Sequence, residues 1–91
     1  MKTIAVEINS PEKNILKEQS DFLVVPGIKG EIGILPGHTH LLAQLTHGKI
    51  RLLINNQTQY VIISSGFMVV HPEKTEIFVE NAEIWVQSVK E

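Results

Sequence analysis

The sequence predicts an all-β fold of roughly eight to ten short strands, arranged as a sandwich or barrel without substantial helix. Apolar residues recur with a period close to two over much of the chain, as they do when alternate side chains of a strand face a core. Residues that favour turns interrupt these runs at short spacing. No apolar pattern at i, i+3, i+4 and i+7 persists for three turns, so the sequence does not predict an amphipathic helix.

The first half of the chain contains predicted strands separated mainly by turn residues. Alternate apolar residues mark the opening strand, residues 4–8. The run 22–25 is apolar throughout, which is typical of a strand buried on both faces, and Pro26 and Gly27 end it. The segment 14–18 is mixed and fits neither a helix stripe nor a clean strand. Two further strands are predicted at 31–35 and 41–45, the second with a single helical turn as its alternative.

The second half contains the clearest hairpin. Apolar residues alternate over 50–54, and residues 57–63 return as the partner strand. Asn55 and Asn56 between them favour a reversal because asparagine tolerates positive φ. The remaining strands are predicted at 67–70, 75–79 and 84–89, with turns at 71–74 and 81–82.

Composition argues against several functional classes. Eight basic and ten acidic residues give a net charge of −2 without a block of one sign, whereas a nucleic-acid-binding chain needs a basic stripe. No apolar run reaches the roughly 18–20 residues of a membrane span, and the N-terminus has no signal-peptide core. The absence of cysteine favours a reducing, intracellular setting. We therefore expect a chain that is soluble by itself and meets a membrane only through partners.

Several sequence blocks resemble the epsilon subunits of rotary ATP synthases. Residues 25–38, VPGIKGEIGILPGH, are similar to the family segment G-x-x-G-E-[LIF]-G-[IV]-[LY]-P-G-H. Further blocks follow the family order: VEINSPE at 6–12, LLAQL at 41–45, GKIR at 48–51 and SGFMVV at 65–70. Together they cover nearly the whole chain, and the chain is identified as a member of that family by this resemblance.

The resemblance implies a ten-stranded β-sandwich, a flattened jelly-roll-like barrel, formed by residues 1–91 as one domain. It implies a non-catalytic rotor subunit at the foot of the central stalk, on the cytoplasmic face of the bacterial inner membrane. The implied partners are the gamma subunit and the polar loops of the c-ring, and no cofactor, metal or catalytic residue is expected. Such a subunit couples ion-driven rotation to ATP synthesis.

The resemblance also assigns residues to the two partners. Glu31 occupies the signature acidic position of the family, and the c-ring loop of the family carries a basic residue, so a charge-assisted pair is expected. The loop expected to face the c-ring comprises Lys29, Glu31 and Ile32. The residues expected to face gamma are His38, Leu41, Leu42 and Ala43. Without the family, Glu31 would be an ordinary solvated turn carboxylate, and His38 a partly buried, hydrogen-bonded histidine.

Two departures from the family pattern stand out. His40 replaces the proline of H-[AT]-P-L-L, which creates a His-x-His pair with His38. The printed sequence stops at Glu91, where many family members continue into two C-terminal helices that inhibit ATP hydrolysis and in some members bind ATP. From this we expect a subunit that acts through assembly and coupling alone.

Two other readings remain open from the residues themselves. The first is a metal-binding, cupin-like β-barrel, because His38 and His40 on a strand would point to the same face. It is disfavoured because residues 41–44 supply no acid and His71 precedes a proline in a different context. The second is a generic β-sandwich interaction module. The sequence contains neither the Gly-Lys-[Ser/Thr] of a phosphate loop nor a G-x-S-x-G elbow.

Overall fold

A computed structural model describes residues 2–37 and 40–85, and its regular structure consists of ten β-strands. Within these two ranges no helix has the length and hydropathy that crossing a membrane requires. The strands are β1 (Ile4–Asn9), β2 (Asn14–Ser20), β3 (Leu23–Gly27), β4 (Gly30–Ile34), β5 (Leu41–Leu45), β6 (Gly48–Ile54), β7 (Gln57–Ile63), β8 (Gly66–Val70), β9 (Lys74–Val79) and β10 (Ala82–Trp85).

The strands form one sheet in the order β10-β7-β6-β3-β5-β8-β9-β1-β2, and β4 pairs with β3. All pairs are antiparallel except β1 with β9, which run parallel in a register that sets Ala5 beside Lys74. The sheet curls until the end of β2 meets β6: the Ser20 hydroxyl donates to the Leu53 carbonyl at 3.0 Å, and the Leu53 amide donates to Ser20 Oγ at 3.1 Å. These bonds join the end strand β2 to β6, the third strand from the opposite end of the sheet, and the result is a sandwich close to a closed barrel.

Alternation along the strands places one face of the curled sheet inside. β1 shows this directly, since Ile4, Val6 and Ile8 are buried while the residues between them are half-buried. Apolar side chains from eight other strands, β2 to β9, join those of β1 in one core, whose buried members are Ile4, Val6, Ile8, Leu16, Leu23, Val25, Ile34, Leu45, Ile50, Leu52, Val61, Ile63, Met68, Val70, Ile77 and Val79. Such a core, rich in β-branched residues with restricted rotamers, packs densely and makes a stiff body.

Most of the predicted strands are confirmed, and the differences have physical causes. The segment 14–18 is part of the full strand β2, because pairing with β1 fixes it regardless of its mixed pattern. The prediction that residues 22–25 are buried on both faces is wrong: β3 alternates buried and half-buried residues, since Val24 faces outward beside Arg51. Pro26 and Gly27 do not end β3, because they still pair with β4. Ala82 belongs to β10 rather than to a turn, and residues 86–89 of the predicted last strand lie outside the described residues.

One buried polar atom offers a simple stability test. Thr75 lies between Val6 of β1 and Val70 of β8, and it is fully buried. Among the described residues its hydroxyl oxygen forms no hydrogen bond. Thr75→Val, which keeps the shape and removes the buried hydroxyl, is expected to raise the free energy of unfolding by about 1–2 kcal/mol. Urea denaturation measures this, with the exposed Thr58→Val as a control expected to change stability by less than about 0.5 kcal/mol. A loss of stability in Thr75→Val would show that the hydroxyl is bonded after all.

Candidate protein-interaction surface

The predicted c-ring loop is the turn of the β3–β4 hairpin. Gly27 pairs with Gly30, so the turn between them is only two residues long. Gly30 adopts a φ of +128°, which residues with a side chain rarely reach, and this glycine therefore lets the chain reverse within so short a loop. Lys29 and Glu31 are exposed, whereas Ile32 is half-buried and packs against the core. Two of the three predicted residues thus present their side chains to solvent.

The predicted gamma-facing residues on β5 divide between the two faces of the sheet. Leu41 and Ala43 are half-buried and pack against the core, while Leu42 between them is 71 % exposed. Alternation along the strand requires this division. His38, the fourth predicted residue, lies outside the described residues. Leu42 is therefore the gamma-facing candidate whose side chain is free to meet another protein.

Leu42 belongs to a larger apolar area on the outer face of β5, β8 and β9. The register sets Phe67 opposite both Gln44 and Phe78, and it sets Val69 opposite Leu42. Phe67 and Phe78 are 53 % and 44 % exposed. Directly paired residues of neighbouring strands share a face, so these side chains form a continuous outward surface. We call it the apolar outer face and define it as Leu42, Gln44, Phe67, Val69 and Phe78.

Two surface grooves adjoin this face, and one of them reaches the hairpin. One, of about 400 Å³, lies over Phe67 and Phe78 and extends to the turn at Ser10 and Pro11. The other, of about 330 Å³, is bounded by the hairpin residues 28–32 and by residues 42–44 of β5. Gln44 lines both grooves, and its carbonyl accepts a hydrogen bond of 3.1 Å from the Ile28 amide. The structure therefore brings the two predicted contact regions together on one surface.

A cluster of charged residues from β1 and β9 borders the apolar outer face next to Val69. Lys74 Nζ lies 3.4 Å from Glu7 Oε2 and 3.5 Å from Glu76 Oε2. The hydrogen bond to Glu7, together with the charges of Glu7 and Glu76, raises the pKa of Lys74 above its ordinary value. Glu76 Oε1 lies 3.4 Å from His71 Nε2, and the His71 ring meets that of His40 edge to face. Because Glu76 is paired with Val69, this charged cluster adjoins the apolar outer face.

Sequence analysis did not identify three exposed apolar side chains: Phe67 and Phe78 of the apolar outer face, and Ile28 of the adjoining hairpin turn. The two phenylalanines lie in runs with apolar neighbours on both sides, so alternation does not reveal which side chain points outward. Aromatic residues at corresponding positions of two adjacent predicted strands were the available signal. In the part of the chain that the structure describes, no group of three or more histidine, aspartate or glutamate side chains is arranged to hold a metal ion.

Comparison with known proteins identifies the family of this fold. Residues 3–84 match the family described as the ATP synthase, Delta/Epsilon chain, beta-sandwich domain. The chain is 41 % identical over 81 residues to the ATP synthase epsilon chain of Desulfitobacterium hafniense, covering 89 % of this chain and 61 % of the relative. It is 38 % identical over 82 residues to the epsilon chain of Nitratidesulfovibrio vulgaris, covering 90 % and 61 %. The chain thus spans about three fifths of the length of these curated relatives.

Solved structures show the same fold. A chain of the Euglena gracilis mitochondrial ATP synthase superimposes with a TM-score of 0.86 at 23 % identity, covering 92 % of this chain and 54 % of that one. A chain of the Tetrahymena thermophila mitochondrial ATP synthase central stalk and c-ring gives a TM-score of 0.73 at 17 % identity, covering 91 % and 69 %. The match over residues 3–84 shows that the chain belongs to the β-sandwich family of ATP synthase delta and epsilon chains.

Proposed function

We propose that this chain is a non-catalytic rotor subunit of a rotary ATP synthase, which binds the gamma subunit and the c-ring and so couples ion-driven rotation to ATP synthesis. Residues 1–91 act in it as one β-sandwich domain, on the cytoplasmic face of the bacterial inner membrane and in contact with that membrane only through the complex. Membership of the ATP synthase delta and epsilon chain family over residues 3–84 carries this proposal. The names of the structural neighbours, a c-ring assembly and a central stalk with c-ring, agree with it.

The exposed surface supports a role in binding proteins. A small soluble domain rarely leaves several large apolar side chains together in solvent, and contiguous patches of this kind mark contact sites. Leu42, Phe67 and Phe78 form such a patch. We assign the apolar outer face to gamma, since it contains the family-implied residue Leu42 and offers two aromatic anchors of the type that dominates binding energy.

The hairpin turn supports the assignment of the c-ring contact. Lys29 lies in the two-residue turn and Glu31 lies in β4 directly after it, and the backbone hydrogen bond from Ile28 to Gln44 of β5 holds this turn in place. A short, anchored turn loses little conformational entropy when it meets a partner. The side chain of Glu31 is exposed next to this turn. Its carboxylate would form the ion pair with the basic residue that the resemblance implies in the c-ring loop.

Glu31→Lys tests this contact. The change replaces an attractive charge pair with a repulsive one, and we expect binding to the assembled c-ring to weaken about tenfold, equivalent to about 1.4 kcal/mol. Reconstituted complexes carrying the variant should pump protons with reduced coupling to ATP hydrolysis.

Glu83→Lys is the matched control. It changes the net charge by the same amount on β10, which β7 and β6 separate from the β3–β4 hairpin, and Glu83 is also exposed. We expect wild-type assembly and coupling from it. Unchanged coupled pumping by Glu31→Lys, or equal losses in both variants, would contradict the proposed role of the hairpin.

A further inference from the structure

Two histidines that are far apart in the sequence meet at the border of the apolar outer face. His40 immediately precedes β5 and His71 follows β8 directly, and β5 and β8 are antiparallel neighbours. Their ring centroids are 5.6 Å apart with the planes at 88°. His40 is exposed and the His71 side chain is 43 % exposed, so solvent reaches the space between them. Neither the family pattern nor the proposed rotor function accounts for this pair, since His40 stands where that pattern has proline.

The separation fits two imidazoles that share one ion. Bonds from zinc to imidazole nitrogen are about 2.0–2.1 Å long, and two imidazoles on one tetrahedral ion therefore have ring centres about 5–6 Å apart. The observed 5.6 Å lies within that range. An edge-to-face contact places ring centroids about 4.5–7 Å apart, and a direct hydrogen bond of about 3 Å between ring nitrogens gives a similar centroid separation, so metal titration has to distinguish these arrangements from a shared ion.

Glu76 completes the arrangement from the side. Its Oε1 lies 3.4 Å from His71 Nε2, and its Oε2 faces Lys74. Metal-binding histidines commonly donate their second ring N–H to a carboxylate, which fixes the tautomer and orients the other nitrogen toward the ion. With Nε2 of His71 directed at Glu76, Nδ1 of the same ring remains for a metal.

We propose that His40 and His71 bind one divalent ion of the borderline transition-metal type, represented by Zn²⁺. Water fills the remaining coordination positions, and Glu76 orients His71. With only two protein ligands the site is open, since the described residues contain no group of three or more side chains arranged to hold a metal ion. The ion would tie the start of β5 to the turn between β8 and β9, next to Leu42.

Zn²⁺ titration of the full chain tests the proposal. We expect isothermal calorimetry to show one Zn²⁺ per chain and nuclear magnetic resonance to show shifts of the His40 and His71 ring resonances. His40→Asn and His71→Asn should each weaken binding at least tenfold, since each removes one of two ligands. His47→Asn alters an exposed histidine in the turn between β5 and β6 and should leave binding unchanged. Mg²⁺, which prefers oxygen ligands, should not bind.

Three outcomes would overturn the proposal. The first is the absence of saturable Zn²⁺ binding to a chain with a native spectrum. The second is unchanged affinity in His71→Asn. The third is loss of binding in His38→Asn with retention in His71→Asn, which would place the ion on the His38-x-His40 pair instead. His40, His47 and His71 are not among the buried core residues, so their replacement should leave the fold intact, and the spectra of the variants verify this.

Discussion

Gly66→Ala is expected to destabilise the fold by at least about 3 kcal/mol. A Cβ atom at this position would lie 2.1 Å from the backbone oxygen of Phe78 and 2.9 Å from Val79 Cγ1. Gly66 begins β8 and is paired with both Leu45 and Val79, so the strands on either side would have to separate to make room. Overpacking against side chains commonly costs about 1–3 kcal/mol, and a backbone atom cannot rotate away. The cost should therefore lie at or above the top of that range.

Thermal and urea denaturation measure this effect. For a domain of this size, about 3 kcal/mol corresponds to a fall in Tm of roughly 12–24 °C. Gly33→Ala is the matched control, because a Cβ at Gly33 meets no atom within 4 Å and the residue does not adopt positive φ. We expect it to change stability by less than about 0.5 kcal/mol. If both variants lost the same stability, or Gly66→Ala lost none, the close approach of β8 and β9 at this point would be refuted.

Phe67→Glu is expected to weaken binding to gamma by at least about 30-fold, equivalent to about 2 kcal/mol. Removal of an aromatic side chain at the centre of an interface often costs that much binding free energy. The carboxylate that replaces it would also have to lose its hydration next to Phe78 when gamma binds. The fold should persist, because Phe67 is 53 % exposed and contributes to the outer face rather than to the buried core. Surface plasmon resonance with purified gamma measures the affinity.

Trp85→Glu provides the comparison for Phe67→Glu. Trp85 is an aromatic residue of similar exposure, 55 %, but it lies on β10 at the far end of the strand order. The substitution introduces the same charge at a site outside the apolar outer face. We expect unchanged affinity for gamma. An equal loss in both variants would show a general effect of surface charge, and wild-type affinity of Phe67→Glu would exclude this face as the gamma contact.

The alternation of polar and apolar residues along the chain predicted most of the strands, but it did not predict which side chains form the outer surface. Alternation over residues 4–8 identified both the strand and its buried face, because polar residues separate the apolar ones. In the run 67–70, apolar side chains occupy both faces, and only pairing with β5 and β9 decides that Met68 is buried and Phe67 is exposed. The same ambiguity led to the wrong prediction for 22–25. Which face of an apolar strand becomes the core depends on residues distant in sequence.

The family resemblance located the hairpin and β5, yet it could not divide their residues between core and surface. Glu31 and Leu42 are exposed as an interface requires, whereas Ile32, Leu41 and Ala43 help to hold the sandwich together. Substitutions at the latter three would mix effects on stability with effects on assembly. The proximity of His40 and His71 was also beyond prediction, because it arises from the pairing of β5 with β8.

The parallel pairing of β1 with β9 affects how the chain can mature during synthesis. Ala5 of β1 pairs with Lys74 of β9, which is synthesised almost 70 residues later. The opening strand is therefore made long before its parallel neighbour. Until β9 is available, β1 can pair only with β2, and an isolated two-stranded hairpin is marginally stable. Native contacts of such long sequence separation also slow folding. Newly made chains should therefore be open to proteolysis near the N-terminus until β9 has left the ribosome, and comparing pulse-labelled ribosome-bound chains with released chains would reveal the difference.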